Sequence, residues 1–224
     1  MTAMLEIAQL SATIGGVRVL QDVGLTLDAG SFVGLVGRNG AGKTTLMRTI
    51  MGLLPADSGR LAFLGRDLRA EPAMRRAALG IGYMPEDRRL VPDLTVEENI
   101  LVPAWATGDA DAARRLAFVN ALLPEVAGFG DRRPAQLSGG QQKLVALARA
   151  LVAGTKLLLL DEPFEGVAPV LAQRLVAAIG ELRATGVAVL MSESDYVHSE
   201  TLVDKLYVIE RGVVTRTDPN GGSD

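Results

Sequence analysis

The chain has 224 residues, a length that suits one large domain or one domain with an insert. Hydrophobic residues make up 48% and charged residues 22%, which is ordinary for a soluble globular protein with enough apolar material for a core. The formal net charge of -3 argues against a surface that coats nucleic acid, and the absence of cysteine excludes disulfides and thiolate metal sites.

The N-terminal segment shows no export signal. Residues 1–6 lack a basic region followed by an apolar core. No stretch of the chain approaches the ~20 apolar residues that are needed to span a bilayer. We therefore expect that the protein, if it serves a membrane, acts from the cytoplasmic face through a partner.

Strand patterns occur in both halves of the chain. Residues 4–10 and 17–27 alternate apolar and polar side chains, as half-buried strands do, with Gly15 and Gly16 as the turn between them. Residues 31–36 are more uniformly apolar, which predicts a central buried strand. Further strands are predicted at residues 59–64, 81–84, 156–160, 187–191 and 205–210.

Helical stretches separate these strands, and the alternation predicts a mainly parallel α/β sheet. Thr95 and Glu98 form a capping-box pattern that opens a helix over residues 95–101. The helix-rich interval at about 93–137 predicts an insert, with a loop at 128–134, and residues 218–224 predict a frayed tail. The other helices are predicted at residues 45–51, 111–123, 138–153 and 170–184.

A glycine-rich turn lies between the central strand and a helix. The three glycines let the backbone curl with its N–H groups pointing inward, and the helix adds its positive end. Lys43 supplies a positive charge for the outer phosphates, and the Thr44 hydroxyl is an oxygen ligand for Mg²⁺. These features predict a nucleotide-phosphate site formed by Gly37, Arg38, Asn39, Gly40, Ala41, Gly42, Lys43 and Thr44.

Two other stretches carry chemistry. Four leucines lead to Asp161 and Glu162, which point to opposite faces of a strand end, so that one can hold Mg²⁺ while the other polarises a water molecule. A second anion site is predicted at a helix start, at Ser138, Gly139, Gly140 and Gln141. Each alone would suit a solvated strand end or a plain helix cap. The glycine-rich turn in the same chain favours the functional interpretation.

These three motifs resemble those of the ATP-binding subunits of ABC transporters, in the family's order and at its usual spacings. The resemblance covers essentially the whole chain. It implies an α/β fold, a P-loop NTPase core with a mainly parallel sheet, an N-terminal antiparallel β part and a helical insert. It also implies one domain over residues 1–224, with the core at 1–92 and 138–224 and a helical subdomain at about 93–137.

The resemblance also implies roles. Two subunits stack head to tail, so that ATP held by the glycine-rich turn, Lys43 and Thr45 of one copy is capped by Ser138–Gln141 of the other. Glu162 is then the general base, and Thr44 with Asp161 holds Mg²⁺. The implied partners are a second ATP-binding subunit, identical or paralogous, and transmembrane permease subunits.

Three positions depart from the family pattern. Ile14 stands where most members place an aromatic ring against adenine, and the loss of stacking predicts roughly tenfold weaker adenine affinity. Glu86 replaces a glutamine that touches Mg²⁺, and a carboxylate can also contact a hydrated metal. Ser194 replaces the histidine that meets the γ-phosphate, which predicts slow turnover; His198, one helical turn on, is a weak substitute candidate.

Residues 85–89, 93–99, 161–163 and 166–169 look most like the importers of branched-chain amino acids, urea and short amides. The resemblance therefore favours solute import, with a periplasmic solute-binding protein as an indirect partner and no nucleic acid. Two alternatives stay open. One is a soluble ABC ATPase that acts on nucleic acid or the ribosome, although the chain lacks a second cassette or a coiled-coil insert. The other is a weakly hydrolysing regulatory subunit, which Ile14 and Ser194 would suit.

Overall fold

The computed structural model describes residues 3–195 and 197–217, so the predicted tail at 218–224 lies outside the described residues. The strands are β1 (Leu5–Ile14), β2 (Val17–Leu27), β3 (Phe32–Val36), β4 (Ser58–Phe63), β5 (Arg66–Asp67), β6 (Ile81–Met84), β7 (Leu157–Asp161), β8 (Ala188–Glu193), β9 (Lys205–Glu210) and β10 (Val213–Thr217). The helices are α1 (Lys43–Ile50), α2 (Ala73–Ala78), α3 (Val96–Thr107), α4 (Ala112–Leu122), α5 (Pro124–Ala127), α6 (Gly139–Ala153) and α7 (Pro169–Glu181).

The N-terminal part is an antiparallel sheet with the strand order β2-β1-β4-β5. Gly15 and Gly16 make the turn between β1 and β2 with φ values of 57° and 82°, a left-handed conformation that glycine adopts without strain. The alternating pattern of residues 4–10 and 17–27 is thus confirmed as a strand pair. The structure adds the short strand β5, which the sequence analysis does not predict.

The second sheet positions the site. Its strand order is β10-β9-β3-β8-β7-β6, in which β9, β3, β8, β7 and β6 run parallel and β10 pairs antiparallel with β9 at the edge. The predicted mainly parallel sheet is confirmed. Because parallel strands end at the same edge of a sheet, the loops after β3, β7 and β8 meet there.

The apolar strands β7 and β8 lie at the centre of the molecule because both faces of the second sheet are covered. Leu158, Leu160 and Met191 belong to a core shared with α3, α6 and α7. Leu157 and Leu190 belong to a core shared with β1, β2 and α1. Burial on both faces explains why these strands are uniformly apolar rather than alternating.

Helix α6 approaches the sheet unusually closely. A Cβ atom on Gly82 of β6 would lie 2.1 Å from the carbonyl oxygen of Ala150. A glycine is therefore required where α6 crosses the sheet edge. This contact fixes the position of α6 on the sheet, and hence the position of its N-terminal turn relative to the carboxyl ends of the strands.

The helical interval differs in detail from the prediction. Thr95 and Glu98 form the predicted capping box, but α3 continues past the predicted end at residue 101 to Thr107. Pro103 lies inside this helix, and the helix ends only where Gly108 adopts a φ of 66°. The loop predicted at 128–134 is followed by a 3₁₀ turn, Pro134–Gln136, and the one-turn helix α5 precedes it.

Helices α3, α4 and α5 all fall within the predicted insert at 93–137, although its exact boundary stays a prediction. Helix α7 ends at Glu181, and a 3₁₀ segment completes the predicted stretch to residue 184. Helix α2 and strand β10 are further elements without a sequence prediction. Within residues 3–195 and 197–217, no helix is long and apolar enough to cross a bilayer.

Candidate nucleotide site

The glycine-rich turn after β3 folds into a cradle. Gly40 and Gly42 have φ values of 80° and 116°, which only glycine adopts readily. Gly37 is required for another reason, because a Cβ there would lie 2.3 Å from the carbonyl oxygen of Ile209. Helix α1 starts directly after Gly42, so its free N–H groups and positive dipole end face the cradle.

The cradle opens into a cavity of about 280 Å³. Most of the predicted residues on the turn line it, together with two acids from other loops and one strand residue. The lining consists of Val19, Asn39, Gly40, Gly42, Lys43, Thr44, Thr45, Glu86 and Glu162. The structure therefore brings residues from the turn, the loop after β6 and the end of β7 to one cavity, whereas Arg38 and Ala41 lie against the turn after β9.

Lys43 and Glu162 form a buried ion pair at this cavity. The distance from Lys43 Nζ to Glu162 Oε1 is 3.0 Å, and both side chains are about 95% buried. Lys43 also donates hydrogen bonds to the carbonyl oxygens of Gly37 and Arg38. An ammonium held by carbonyls and one carboxylate at a cradle of N–H groups is a site for phosphate oxygens.

Asp161 is fully buried and accepts hydrogen bonds from three hydroxyl groups. Ser192 Oγ lies 2.7 Å and Thr44 Oγ1 3.2 Å from Asp161 Oδ1, and Tyr83 Oη lies 3.2 Å from Oδ2. Burial raises the pKa of Asp161, and these three hydrogen bonds oppose the rise. Burial, and then the neighbouring Asp161, also raises the pKa of Tyr83.

The donor set suits Mg²⁺, which prefers one or two protein oxygens together with phosphate oxygens and water. Thr44 and Asp161 offer a hydroxyl and a carboxylate that are already in contact. Among the described residues, no group of three or more His, Cys, Asp or Glu side chains is arranged to hold a metal without other ligands. A metal shared with nucleotide phosphates needs no such group.

Glu86 lies at the mouth of the cavity, on the exposed loop after β6. Partial burial raises the pKa of Glu86, and the carboxylates of Glu165, Asp161 and Glu162 raise it further. Several carboxylates close together form an electrostatic environment that favours a cation. The charge at this mouth therefore suits a hydrated metal ion.

Glu162 is held in an unusual backbone conformation. Its φ is 50°, in the left-handed region that is disfavoured for residues with a Cβ. Ser194 fixes the carboxylate: the Ser194 N–H lies 3.1 Å from Oε2, and the Ser194 hydroxyl 2.8 Å from Oε1. The same hydroxyl lies 2.8 Å from Asn39 Oδ1. Ser194 thus joins the end of β7 to the glycine-rich turn.

His198 does not occupy the position of Ser194. It is exposed, and its ring packs against the ring of Phe164 with 5.6 Å between centroids. Ser194, by contrast, contacts Glu162 directly. In this structure the histidine is a packing partner of the loop after β7 rather than a part of the nucleotide cavity.

The four residues Ser138–Gln141 lie at the N-terminus of α6. The Ser138 hydroxyl accepts a hydrogen bond from the Gln141 N–H, and the Gln141 side chain accepts one from the Ser138 N–H, so the two form a capping box. Among the described residues that line the cavity, none belongs to this stretch. The turn Ser138–Gln141 therefore takes no part in the cavity around this chain's own Lys43.

Ile14 lies at the end of β1, and 43% of its surface is exposed. Val19 of β2, which the sequence analysis does not single out, lines the cavity instead. The structure also adds Ser192 and Tyr83 as partners of Asp161. No sequence signal marks these hydroxyl groups, because their role depends on pairing between β6, β7 and β8.

Comparisons with known proteins agree with this geometry. A family model described as ABC transporter matches residues 20–165. BraG of Pseudomonas aeruginosa, a high-affinity branched-chain amino acid transport ATP-binding protein, is 36% identical and covers 96% of this chain and 92% of its own length. LptB of Escherichia coli K12, a lipopolysaccharide export system ATP-binding protein, is 34% identical and covers 94% and 88%.

Solved structures show the same fold. An ATP-binding subunit of an ABC transporter matches with a TM-score of 0.85 and 30% identity, covering 96% of this chain and 90% of its own. A nucleotide-free ATP-binding cassette matches with a TM-score of 0.85 and 27% identity, covering 99% and 92%. The chain therefore belongs to the ABC transporter family, as an ATP-binding subunit that hydrolyses ATP.

Proposed function

We propose that this subunit powers solute import by hydrolysing Mg²⁺-bound ATP between two head-to-tail copies of an ATP-binding subunit. The observation that carries the proposal is the buried Glu162 carboxylate, held between Lys43 and Ser194 at the edge of the phosphate cradle. A carboxylate in that place can accept a proton from water next to a bound phosphate.

The chemistry is a phosphoryl transfer to water. The water oxygen attacks the γ-phosphorus, the bond from that phosphorus to the β,γ-bridging oxygen breaks, and ADP leaves with the electron pair. Glu162 accepts the proton of the attacking water. Lys43, which pairs with Glu162 in this structure, turns to the β- and γ-phosphates when ATP enters, and the carboxylate is then free to act as base.

Mg²⁺ supplies positive charge to the phosphate oxygens. Thr44 and Asp161 would hold it, and Glu86 would contact its water shell. The hydroxyls of Ser192 and Tyr83 orient the Asp161 carboxylate and oppose the rise in its pKa that burial causes. The protein's contribution is thus a fixed pair of ligands at the carboxyl end of β7.

A second subunit completes the site. In the turn Ser138–Gln141, Ser138 and Gly139 are exposed and Gly140 and Gln141 are half-buried, and none of the four lines the cavity of its own chain. A head-to-tail copy, identical or paralogous, would place its Ser138 hydroxyl and the N–H groups of Gly139 and Gly140 against the γ-phosphate. ATP would then be part of the subunit interface, and its hydrolysis would reopen the interface.

We assign the protein to the cytoplasmic face of the membrane, bound to transmembrane permease subunits. Branched-chain amino acids or related small solutes are favoured by the likeness to BraG, and a periplasmic solute-binding protein would then deliver them. The likeness to LptB is nearly as strong and makes export the second candidate. Uptake of labelled leucine into proteoliposomes that contain this subunit and permeases encoded by adjacent genes separates the two directions.

The test of the ATP clamp is the variant Glu162→Gln, studied together with the partner subunits. We expect it to bind Mg-ATP, to lose turnover and to accumulate an ATP-dependent dimer, measured by light scattering. Lys43→Ala is the matched control, because it removes the phosphate charge and should prevent the dimer. A Glu162→Gln protein that stays monomeric in saturating ATP, or that hydrolyses ATP at the wild-type rate, would contradict the proposal.

A further inference from the structure

A buried lysine on α6 has no part in the function described so far. Lys143 is 5% exposed, and its side chain points from the second turn of α6 toward the end of β7. Its ammonium group donates a hydrogen bond of 2.7 Å to the carbonyl oxygen of Glu162 and a second to the carbonyl oxygen of Glu165. A buried ammonium group therefore binds two backbone carbonyl oxygens, those of the proposed base Glu162 and of Glu165.

These two carbonyls belong to a turn that needs support. Glu162 has a φ of 50°, which is disfavoured for a residue with a Cβ. The Glu165 N–H reaches the carbonyl oxygen of Glu162 at 3.3 Å, so the turn closes only weakly through its own backbone. A cation that binds both carbonyl oxygens neutralises their mutual repulsion and holds the turn in this conformation.

The surroundings of Lys143 strengthen that interaction. Burial lowers the pKa of the Lys143 ammonium, while the carboxylates of Glu165, Glu193 and Glu162 oppose the fall. With little water nearby, hydrogen bonds from a charged donor are stronger than in solvent. The position of the turn thus depends directly on where α6 places this ammonium.

The turn from Glu162 to Glu165 also sets the direction of the Glu162 side chain. Oε1 of Glu162 lies 3.0 Å from Lys43 Nζ and 2.8 Å from Ser194 Oγ. The N-terminal turn of the same helix carries Ser138–Gln141. Lys143 is therefore the contact between the helix that would cap the partner's ATP and the base that would act on this chain's own ATP. Only Lys143 on α6 reaches the Glu162 backbone in the hydrogen bonds among the described residues.

We propose that Lys143 is a positioning residue for hydrolysis: its ammonium fixes the turn that aims Glu162, and so links the N-terminal turn of α6 to the base of the same subunit. The inference rests on the proposed function in one respect, the role of Glu162 as general base. It assigns no contact between Lys143 and the nucleotide.

The experiment compares Lys143→Met, Lys143→Gln and Lys143→Arg in the complete complex. Methionine is close to lysine in volume but cannot donate a hydrogen bond, so we expect kcat to fall by about 10- to 100-fold because the base is misplaced. The KM for ATP should stay within about twofold, since no binding contact is lost. Arginine can still donate to both carbonyls and should restore most of kcat, and the shorter glutamine should give an intermediate value.

Arg174→Met is the matched control. Arg174 also donates from a helix to a backbone carbonyl, that of Leu122, and it pairs with Glu125, and none of the three lines the cavity. It should lower the melting temperature without lowering kcat. In a Glu162→Gln background, Lys143→Met should leave the ATP concentration that drives dimer formation unchanged, because that step does not require the base.

Three results would overturn the inference. The first is a folded Lys143→Met protein with wild-type kcat, and the second is an equal loss of kcat in Arg174→Met. The third is a loss confined to KM. If Lys143→Met does not fold, Lys143→Gln decides by the same criteria. An active Glu162→Gln protein would instead refute the proposed function, whereas an inactive Glu162→Gln protein beside a fully active Lys143→Met protein would refute this inference alone.

Discussion

Ser194 holds the Glu162 carboxylate in place but has no positive charge. Its N–H and its hydroxyl hold the two oxygens of the Glu162 carboxylate. The hydroxyl has one proton, so Glu162 and Asn39 compete for it, although both lie 2.8 Å away. Serine therefore orients the Glu162 carboxylate, the proposed base, but carries no positive charge that could meet a γ-phosphate.

We predict that Ser194→His raises kcat. An imidazolium at this position would reach the developing charge on the γ-phosphate, and a donor of that kind is typically worth ~10²–10³ in rate, so a gain of about tenfold or more is expected. Steady-state ATP hydrolysis by the complex measures it. Ser194→Ala, which keeps the backbone N–H to Glu162 and loses only the hydroxyl, is the control and should be slower than wild type. A histidine variant no faster than the alanine variant would refute the prediction.

At the scale of elements, three consecutive residues at the carboxyl end of β8 have different surroundings. Ser192 donates to Asp161, and Ser194 contacts Glu162. Glu193 lies between them, is 5% exposed, and its Oε1 has no hydrogen-bond partner among the described residues. Burial raises the pKa of Glu193 to about 9, and the Glu162 and Asp195 carboxylates add to the rise, while Lys143 and Lys43 oppose it.

Glu193 should make stability depend on pH. Its ordinary pKa is 4.5, so between pH 4.5 and about 9 the folded state binds a proton that the unfolded state has lost. Protonation of Glu193 therefore adds to the free energy of unfolding. This contribution is complete below pH 4.5 and is lost as pH rises through about 9, and the free energy of unfolding falls by up to about 1.4 kcal/mol per pH unit.

Glu193→Gln replaces the titrating carboxyl group by an amide of the same shape. Urea denaturation at pH 6, 7 and 8 should show the variant gaining stability relative to wild type as pH rises. Comparing the two proteins cancels the contributions of the other titrating groups. Glu210→Gln, which makes the same substitution at an exposed strand end, is the control for replacing a glutamate by glutamine. A constant difference between Glu193→Gln and wild type across the three pH values would show that Glu193 is not protonated in the fold.

Local patterns predicted the elements that local chemistry determines. Gly15 and Gly16, the Thr95 capping box and the apolar runs of β7 and β8 are all where their residues indicate. The predicted end of α3 at residue 101 was wrong. The helix continues through Pro103 to Thr107, whose hydroxyl donates to the carbonyl oxygen of Pro103 at 2.9 Å, and it ends at Gly108.

The site was predictable only in part, because local patterns mark some of its residues and contacts between distant residues place the others. The glycine-rich turn, Asp161 and Glu162 follow strands directly, so a pattern in the chain marks them. The left-handed φ of Glu162, its support by Lys143 and the hydroxyls around Asp161 depend on which strands and helices become neighbours. Contacts between residues far apart in sequence leave no local periodicity from which they could be inferred.

For the whole molecule, the position of Ser138–Gln141 decides whether the subunit can work alone. The turn begins α6, whose body is fixed to the sheet edge by the contact at Gly82. It also lies outside the cavity around Lys43. If this turn binds the γ-phosphate of ATP, as proposed above, a second copy must therefore supply it to the cavity around Lys43.

Mixing two inactive variants tests this arrangement. Lys43→Ala removes the phosphate charge but leaves the capping turn, and Ser138→Arg blocks the capping turn but leaves the cradle. Each homodimer has no complete site, whereas a mixed dimer has one, formed by the cradle of the Ser138→Arg copy and the capping turn of the Lys43→Ala copy. A two-fold assembly with random exchange should therefore recover roughly a quarter of wild-type ATP turnover if its two sites act independently. If the mixture is no more active than the two separate preparations, the sites do not span subunits, because a site contained in one chain could not be repaired by another.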